Sequence, residues 1–191
     1  MKNIIKIIVL ALFFTNCKAQ TVVNINTYNQ GDNSNKYFKD INNNYPNFVG
    51  TWQNTTGNIT FRLIIWKETR KPLVNETNSF IDSLFGKYLI IQNAGTTNEI
   101  ILHNSVKYFP QSRTTTTWSL YGLVGNPTSS SGSFMDTTAN NGTGALNAFY
   151  KFDIINLGST VLQAQWNLKS TTNLFPGESF TVPLSCVLTK Q

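Results

Sequence analysis

From Phe48 to Thr189 apolar residues recur at every second position, in runs broken by turn-forming clusters. No other feature constrains the fold as tightly. A period of two puts alternate side chains on opposite faces of an extended strand, whereas a helix needs a period near 3.6. Phe48, Gly50 and Trp52 share a face of the first run. After the turn Asn54-Thr55-Thr56-Gly57, Ile59, Phe61, Leu63 and Ile65 share a face of the second. A run over 81–92 sets Leu84, Gly86, Tyr88 and Ile90 on one side, and Asn93-Ala94-Gly95 turns into a strand over 98–103. Trp118, Leu120, Gly122 and Val124 mark the next one. Residues 125–145, rich in Gly, Ser, Thr and Asn, read as a long loop with a short strand at 132–137. Three patterned strands close the chain: Ala148, Tyr150, Phe152 and Ile154; then Leu162, Ala164, Trp166 and Leu168; then Phe180, Val182, Leu184, Cys186 and Leu188. Pro183 falls off the last stripe and fits an edge or a bulge.

The expected fold is all-β: an antiparallel meander of eight or nine strands, joined by short hairpins such as Leu157-Gly158-Ser159 and Pro176-Gly177. A meander of this length protects its edges by closing into a β-barrel or by folding into a β-sandwich. The alternation by itself leaves both open. A chain of 191 residues fits one such domain plus a targeting segment, and we expect three parts: 1–19, 20–47 and 48–191.

Residues 1–19 have the form of a secretory signal. Lys2 and Lys6 make a positive start, and Ile7 to Phe14 make an apolar stretch too short to span a bilayer as a permanent helix. Two processing routes fit residues 15–20. Cleavage before Cys17 leaves a lipidated N-terminus, and cleavage after Ala19 leaves Gln20 first with no lipid. The first is expected, with the protein held at a periplasm-facing membrane, since Lys18-Ala19-Gln20-Thr21 lacks the acidic residues of a surface-export tag. Residues 20–47, with Gln30 to Asn35 and Asn42-Asn43-Asn44, read as an Asn-rich tether whose Tyr37, Phe38 and Tyr45 can dock onto the domain.

The charge balance is +6, and removal of residues 1–16 leaves 13 basic against 9 acidic residues. The cations are scattered. Lys67, Arg70 and Lys71, with Glu68 among them, read as a solvated hairpin turn, so no nucleic-acid partner is expected. Only 13% of residues are charged, and the polar surface must come largely from Asn, Thr, Ser and Gln. Of the two cysteines, Cys17 belongs to the signal region, and Cys186, alternating with Leu184 and Leu188, reads as a buried thiol.

Chemistry-bearing residues are sparse. His103 is the only histidine, and no spacing marks a triad or a metal site around it. Glu68, Glu76, Asp82 and Glu99 could supply a carboxylate pair only if the fold gathered them. Lys151 and Asp153 read as a solvated ion pair. Neither an enzyme, a cofactor nor a bound metal is expected. The aromatic residues say more. Trp52, Tyr88, Trp118 and Trp166 each fall on the apolar face of a strand, where they fill a core or line a ligand cavity. Trp66 stands opposite Phe61, Leu63 and Ile65, so its strand is apolar on both faces and something must cover it.

Phe48-Val49-Gly50-Thr51-Trp52 resembles the opening strand of the calycins, the lipocalins and fatty-acid-binding proteins. In that superfamily the glycine lets the strand bend and the tryptophan plugs the base of the barrel, beneath an arginine from the last strands. No arginine stands near the end of this chain. The resemblance favours the barrel over the sandwich. It implies a non-catalytic binding protein for a small apolar ligand, with Trp52, Tyr88, Trp118 and Trp166 lining the site. The whole chain also resembles small secreted lipoproteins of unknown function from Bacteroidetes. It shares their signal ending Cys17-Lys18-Ala19-Gln20, their Asn-rich tether, a run like Gly86-Lys87-Tyr88, and a last strand like Val182-Pro183 through Lys190. In that setting Asp136-Thr137-Thr138 resembles an O-glycosylation acceptor. The alternative function is a structural or interaction module that meets a protein or glycan and takes no small ligand.

Overall fold

The computed structural model describes residues 20–29, 31–106, 108–109, 114–115 and 117–191. The expected signal, Cys17 included, lies outside them. The described chain begins with two short strands, β1 (Thr21–Asn24) and β2 (Lys36–Lys39). It continues through β3 (Gly50–Thr56), β4 (Ile59–Pro72), β5 (Phe80–Gln92), β6 (Ile100–Asn104) and the short pair β7 (Tyr108–Phe109) and β8 (Thr114–Thr115). After these come β9 (Leu120–Asn126), β10 (Ser129–Asp136), a single helical turn α1 (Ala139–Gly142), β11 (Leu146–Ile154), β12 (Gln163–Ser170) and β13 (Ser185–Lys190).

Eight of these strands form one closed antiparallel barrel in the order β5-β4-β3-β13-β12-β11-β10-β9 and back to β5. The first and last strands meet through Thr189↔Gln53 and Lys190↔Trp52. A second narrow seam, Leu84↔Gly122, Phe85↔Tyr121 and Gly86↔Leu120, completes the ring. Closure excludes the sandwich. One edge of β5 serves three partners in turn: β2 at Phe80–Ile81, β9 at Leu84–Gly86, and β6 at Leu89–Gln92.

The alternating residues point inward as their pattern requires. Trp52, Phe61, Leu63, Tyr88, Leu120, Phe134, Tyr150, Phe152, Trp166 and Leu188 are all buried. Residues 129–136, expected as loop with a brief strand, form the full barrel strand β10. Its inward positions Ser130 and Gly132 are small because a neighbour uses their space. The Tyr150 phenol reaches across to Ser130 Oγ at 2.9 Å and lies where a Cβ on Gly122 would stand. The last strand starts later than the alternation suggests. Residues 180–184 cross the end of the barrel, with Val182 buried and Leu184 exposed, before β13 begins.

The segment 20–47, read as a tether, is fastened to the barrel. β1 pairs parallel with β2 and β2 parallel with β5. Ile25, Phe38 and Tyr45 are buried in the common core. A buried polar cluster accompanies this apolar attachment. Asp82 on β5 accepts hydrogen bonds from the Tyr37 hydroxyl (2.6 Å), the Asp40 N–H (3.1 Å) and the Arg70 N–H (3.2 Å). Asp40 accepts from the Asn44 and Tyr45 N–H groups. Lys67 Nζ lies between the two carboxylates, 3.1 Å from Asp82 and 3.5 Å from Asp40. Lys67 therefore does not sit in a solvated turn, while Arg70 is exposed as expected but belongs to a strand bulge. β4 runs on through them to Pro72, with a bulge between Glu68 and Lys71.

Burial of Asp82 favours its neutral form, but the Tyr37, Asp40, Lys67 and Arg70 donors outweigh it and hold the carboxyl below its ordinary pKa. A group depressed in the folded state contributes stability that is present above its unfolded pKa, about 3.9, and lost as pH falls through the folded value. Asp82→Asn is expected to cost about 3 kcal/mol at neutral pH, because Lys67 loses its nearer partner in a desolvated site. The same change should flatten the fall in stability below pH 4. Urea unfolding of both proteins at pH 7 and pH 3 measures this, and an equal loss at both pH values would refute it.

Candidate binding surface

Three of the four aromatics expected to line a cavity lie inside the barrel, with other aromatic rings packed against them. Trp52, Tyr88 and Trp166 are fully buried. The Phe152 ring separates the two tryptophans, 4.9 Å from Trp52 and 6.4 Å from Trp166. Phe61, Phe134 and Tyr150 surround Trp166 at 5.9, 5.4 and 5.7 Å. Edge-to-face and offset contacts at these separations each add about 0.5–1.5 kcal/mol beyond area burial, so this aromatic interior is a core.

Gly50, Trp52 and Lys190 come together at one end of the barrel. Gly50 has φ +131°, a conformation that other residues rarely adopt, and a Cβ there would stand 3.0 Å from Lys190 Cε. The Trp52 indole donates to the Phe48 carbonyl at 2.7 Å. Lys190 from β13 places its Nζ 5.4 Å from the Trp52 ring centre and donates to the Pro46 and Asn47 carbonyls. A lysine thus stands over the Trp52 ring. Burial keeps its pKa below the usual lysine value.

The opposite end is crossed by residues 171–184, secured by one buried carboxyl group. Asp136 Oδ1 accepts from the Tyr88 hydroxyl (2.5 Å) and the Thr138 N–H (3.0 Å). Asp136 Oδ2 accepts from the Thr181 N–H (2.6 Å) and the Val182 N–H (3.4 Å). Thr137 and Thr138 are buried, and the Thr137 hydroxyl donates to the Ser105 carbonyl. The fold therefore corrects the glycan-acceptor reading of Asp136-Thr137-Thr138, since neither hydroxyl can reach a transferase. Beside Val182 lies a cleft of about 270 Å³ lined by Asn54, Thr56, Ile59, Phe61, Ile90, Thr181 and Pro183.

Trp118 corrects a facing error. It precedes β9, and the next residue, Ser119, is buried with its N–H donating to the Gly86 carbonyl, so the strand's inward stripe begins only at Leu120. Trp118 lies outside the wall, 39% exposed, against Phe85 (5.5 Å) and Tyr121 (6.1 Å). Trp66 stacks on the same Phe85 at 6.3 Å and 23°. Trp66, Phe85 and Tyr121 occupy outward positions of β4, β5 and β9, three strands joined in register. The fold thus assembles an aromatic surface that sequence reading had seen only as the unexplained outward Trp66.

Polar groups frame the rings. The Trp66 indole donates to Glu68 Oε1 (3.1 Å), and Glu68 Oε2 pairs with Lys71 Nζ (2.7 Å), which also lies 5.3 Å from the Phe85 ring centre. Two clefts flank the rings. One of about 430 Å³ is lined by Lys71, Pro72, Val74, Phe85, Trp118 and Tyr121. The other, about 520 Å³, is lined by Ile64, Trp66, Lys87, Val106 and Thr117.

The remaining chemistry-bearing residues do not converge. Glu68 is engaged as above, Glu99 accepts from the Gly95 N–H, and Lys151 pairs with Asp153 on the surface. Asp40 and Asp82 do come together, but structural donors occupy each of their four oxygens. Among the described residues no three His, Cys, Asp or Glu side chains group to hold a metal. Cys186 is only half-buried, yet burial pushes its thiol up to about 11, which makes it a poor nucleophile.

No curated protein and no solved structure matches the chain. A family of unknown function, DUF6705, matches it over residues 1–191, and the protein belongs to that family.

Proposed function

We propose that this is an exported, lipid-anchored, non-catalytic binding protein that meets its ligand on the outer aromatic wall formed by Trp66, Phe85, Trp118 and Tyr121. The carrying observation is the position of Trp118. A large, costly side chain stands 39% exposed on three ordered strands, beside two clefts and an ion pair, while the barrel interior is occupied by its own rings. Exposed aromatics grouped on a rigid scaffold favour recognition over stability, because they supply large contact area with little conformational entropy left to lose. Carboxyl groups saturated by structural donors supply no acid or base, which fits binding without chemistry.

Ligand-observed NMR with a set of monosaccharides and apolar aromatic fragments tests the reading. Hits should vanish with Trp118→Ala and survive Phe149→Ala, which removes a still more exposed ring from β11. Hits indifferent to Trp118→Ala would place recognition elsewhere.

A second reading rests on the 270 Å³ cleft beside Val182, whose Ile59, Phe61, Ile90 and Pro183 lining suits a small apolar ligand at the barrel mouth. Hits lost with Ile90→Asn instead of Trp118→Ala would favour it.

Anchoring has its own readout. Metabolic labelling with a fatty-acid analogue should mark the protein and be abolished by Cys17→Ser; label surviving that change would sink the lipid anchor.

A further inference from the structure

We infer that the occupant of the outer aromatic wall is an anionic polysaccharide, a proposal that rests on the wall being the binding surface. The two clefts share the same construction. Among the described lining residues each has one exposed or half-buried tryptophan, Trp118 in one and Trp66 in the other, and one lysine, Lys71 and Lys87 respectively. Phe85 lies behind both indoles and joins them into one line of rings. A repeated pair of ring and cation suits a ligand whose own units repeat.

The polar frame excludes the more apolar occupants. An apolar protein surface or an alkyl chain laid over these rings would strip water from the Glu68–Lys71 pair and from Lys87, with nothing to replace it. A sugar ring meets both demands at once. Its axial C–H face packs on an indole, its carboxylate points sideways to Lys87, and its equatorial hydroxyls point to Thr117 and to the Glu68–Lys71 pair. Charge complementarity selects the acidic kind. Glu68 is already answered by Lys71 and by the Trp66 indole, and among the described residues lining the other cleft Lys87 is the cation and none is an acid. The rings are also pre-set. The Trp66 indole is fixed by Glu68, and Trp118 is wedged against Phe85 and Tyr121, so little ordering entropy remains to be lost on binding.

Native electrophoresis of the protein through gels cast with alginate, polygalacturonate or the neutral glucan laminarin tests this. Retardation is expected in at least one acidic gel and not in laminarin. Trp118→Ala and Lys87→Gln should each weaken it about tenfold, the loss of one good ring or charge contact, while Trp118→Phe keeps most of it and Phe149→Ala all of it. Thermal melting of each variant controls for folding. Free migration in both acidic gels, equal retardation in laminarin, or retardation unchanged by Trp118→Ala overturns the proposal. Aromatic fragments that bind in a Trp118-dependent way while the acidic gels do nothing would reject the polysaccharide and leave the wall as the binding surface.

Discussion

Gly132→Ala is expected to destabilise the barrel by at least ~3 kcal/mol, the upper end of what a single overpacked methyl group costs. The reason lies in the backbone. A Cβ at Gly132 would overlap the Tyr121 carbonyl oxygen and come within 2.5 Å of the Gly122 Cα. Neither atom belongs to a side chain that can swing away. Both belong to β9, which pairs with β10 through Gly132↔Gly122 and with β5 through only three residue pairs. A methyl group that pushes β9 aside therefore strains the seam that closes the ring, and also the Tyr150 phenol packed on Gly122. Gly125→Ala on the same strand meets nothing within 4 Å and should change stability little. Urea unfolding followed by tryptophan fluorescence compares the two. Midpoints that agree within error would show that β9 shifts freely, and the closure argument would then be wrong.

That seam also marks where sequence legibility stopped. β11 and β12 were readable because their inward positions carry apolar residues and burial largely alternates in step with them, and β3 was readable from its buried Trp52 two residues after Gly50. β10 was not, because the barrel fills its space from across the wall. Ser130 and Gly132 look like loop residues until the Tyr150 hydroxyl is seen against Ser130 and the β9 backbone against Gly132. Trp118 shows the converse. Its parity matched Leu120 and Val124, but parity carries facing only within a strand, and β9 begins two residues later. The docking of Phe38 and Tyr45 was expected from the sequence, but the polar fastening of residues 20–47 was hidden for a third reason. Asp40 and Asp82 stand 42 positions apart, and the composition around Asp40 is that of a flexible linker. A few buried side chains and one lysine between two carboxylates were enough to fasten it. As for the site, the four aromatics expected to act together were separated by the wall itself. Trp52, Tyr88 and Trp166 became core, while Trp118 joined Trp66, whose outward position was the one legible sign of an outer surface.

Asp136→Asn is expected to release the segment that crosses the barrel mouth and to cost about 3 kcal/mol, the loss of two hydrogen bonds to a charged acceptor together with the burial of unpaired donors. Oδ1 can keep its bonds to Tyr88 and Thr138 as an amide oxygen. Oδ2 cannot keep its own. An NH2 group in its place would face the Thr181 and Val182 N–H groups, donor against donor, in a site with no solvent exposure. Flipping the amide only moves the conflict to the Thr138 N–H. Val182, buried over the mouth, then loses the bond that seats it, and Phe61, which lines the cleft beneath and touches Trp166, becomes open to water. Two measurements check this. Hydrogen exchange at the Thr181 and Val182 amides should accelerate by at least tenfold, and a hydrophobic dye should bind the variant but not the parent. Amides that stay protected in a variant of unchanged stability would mean that the contacts of residues 171–184 with the rim hold them without Asp136. The mouth would then be closed by packing, and its 270 Å³ cleft would be a fixed feature of the barrel end.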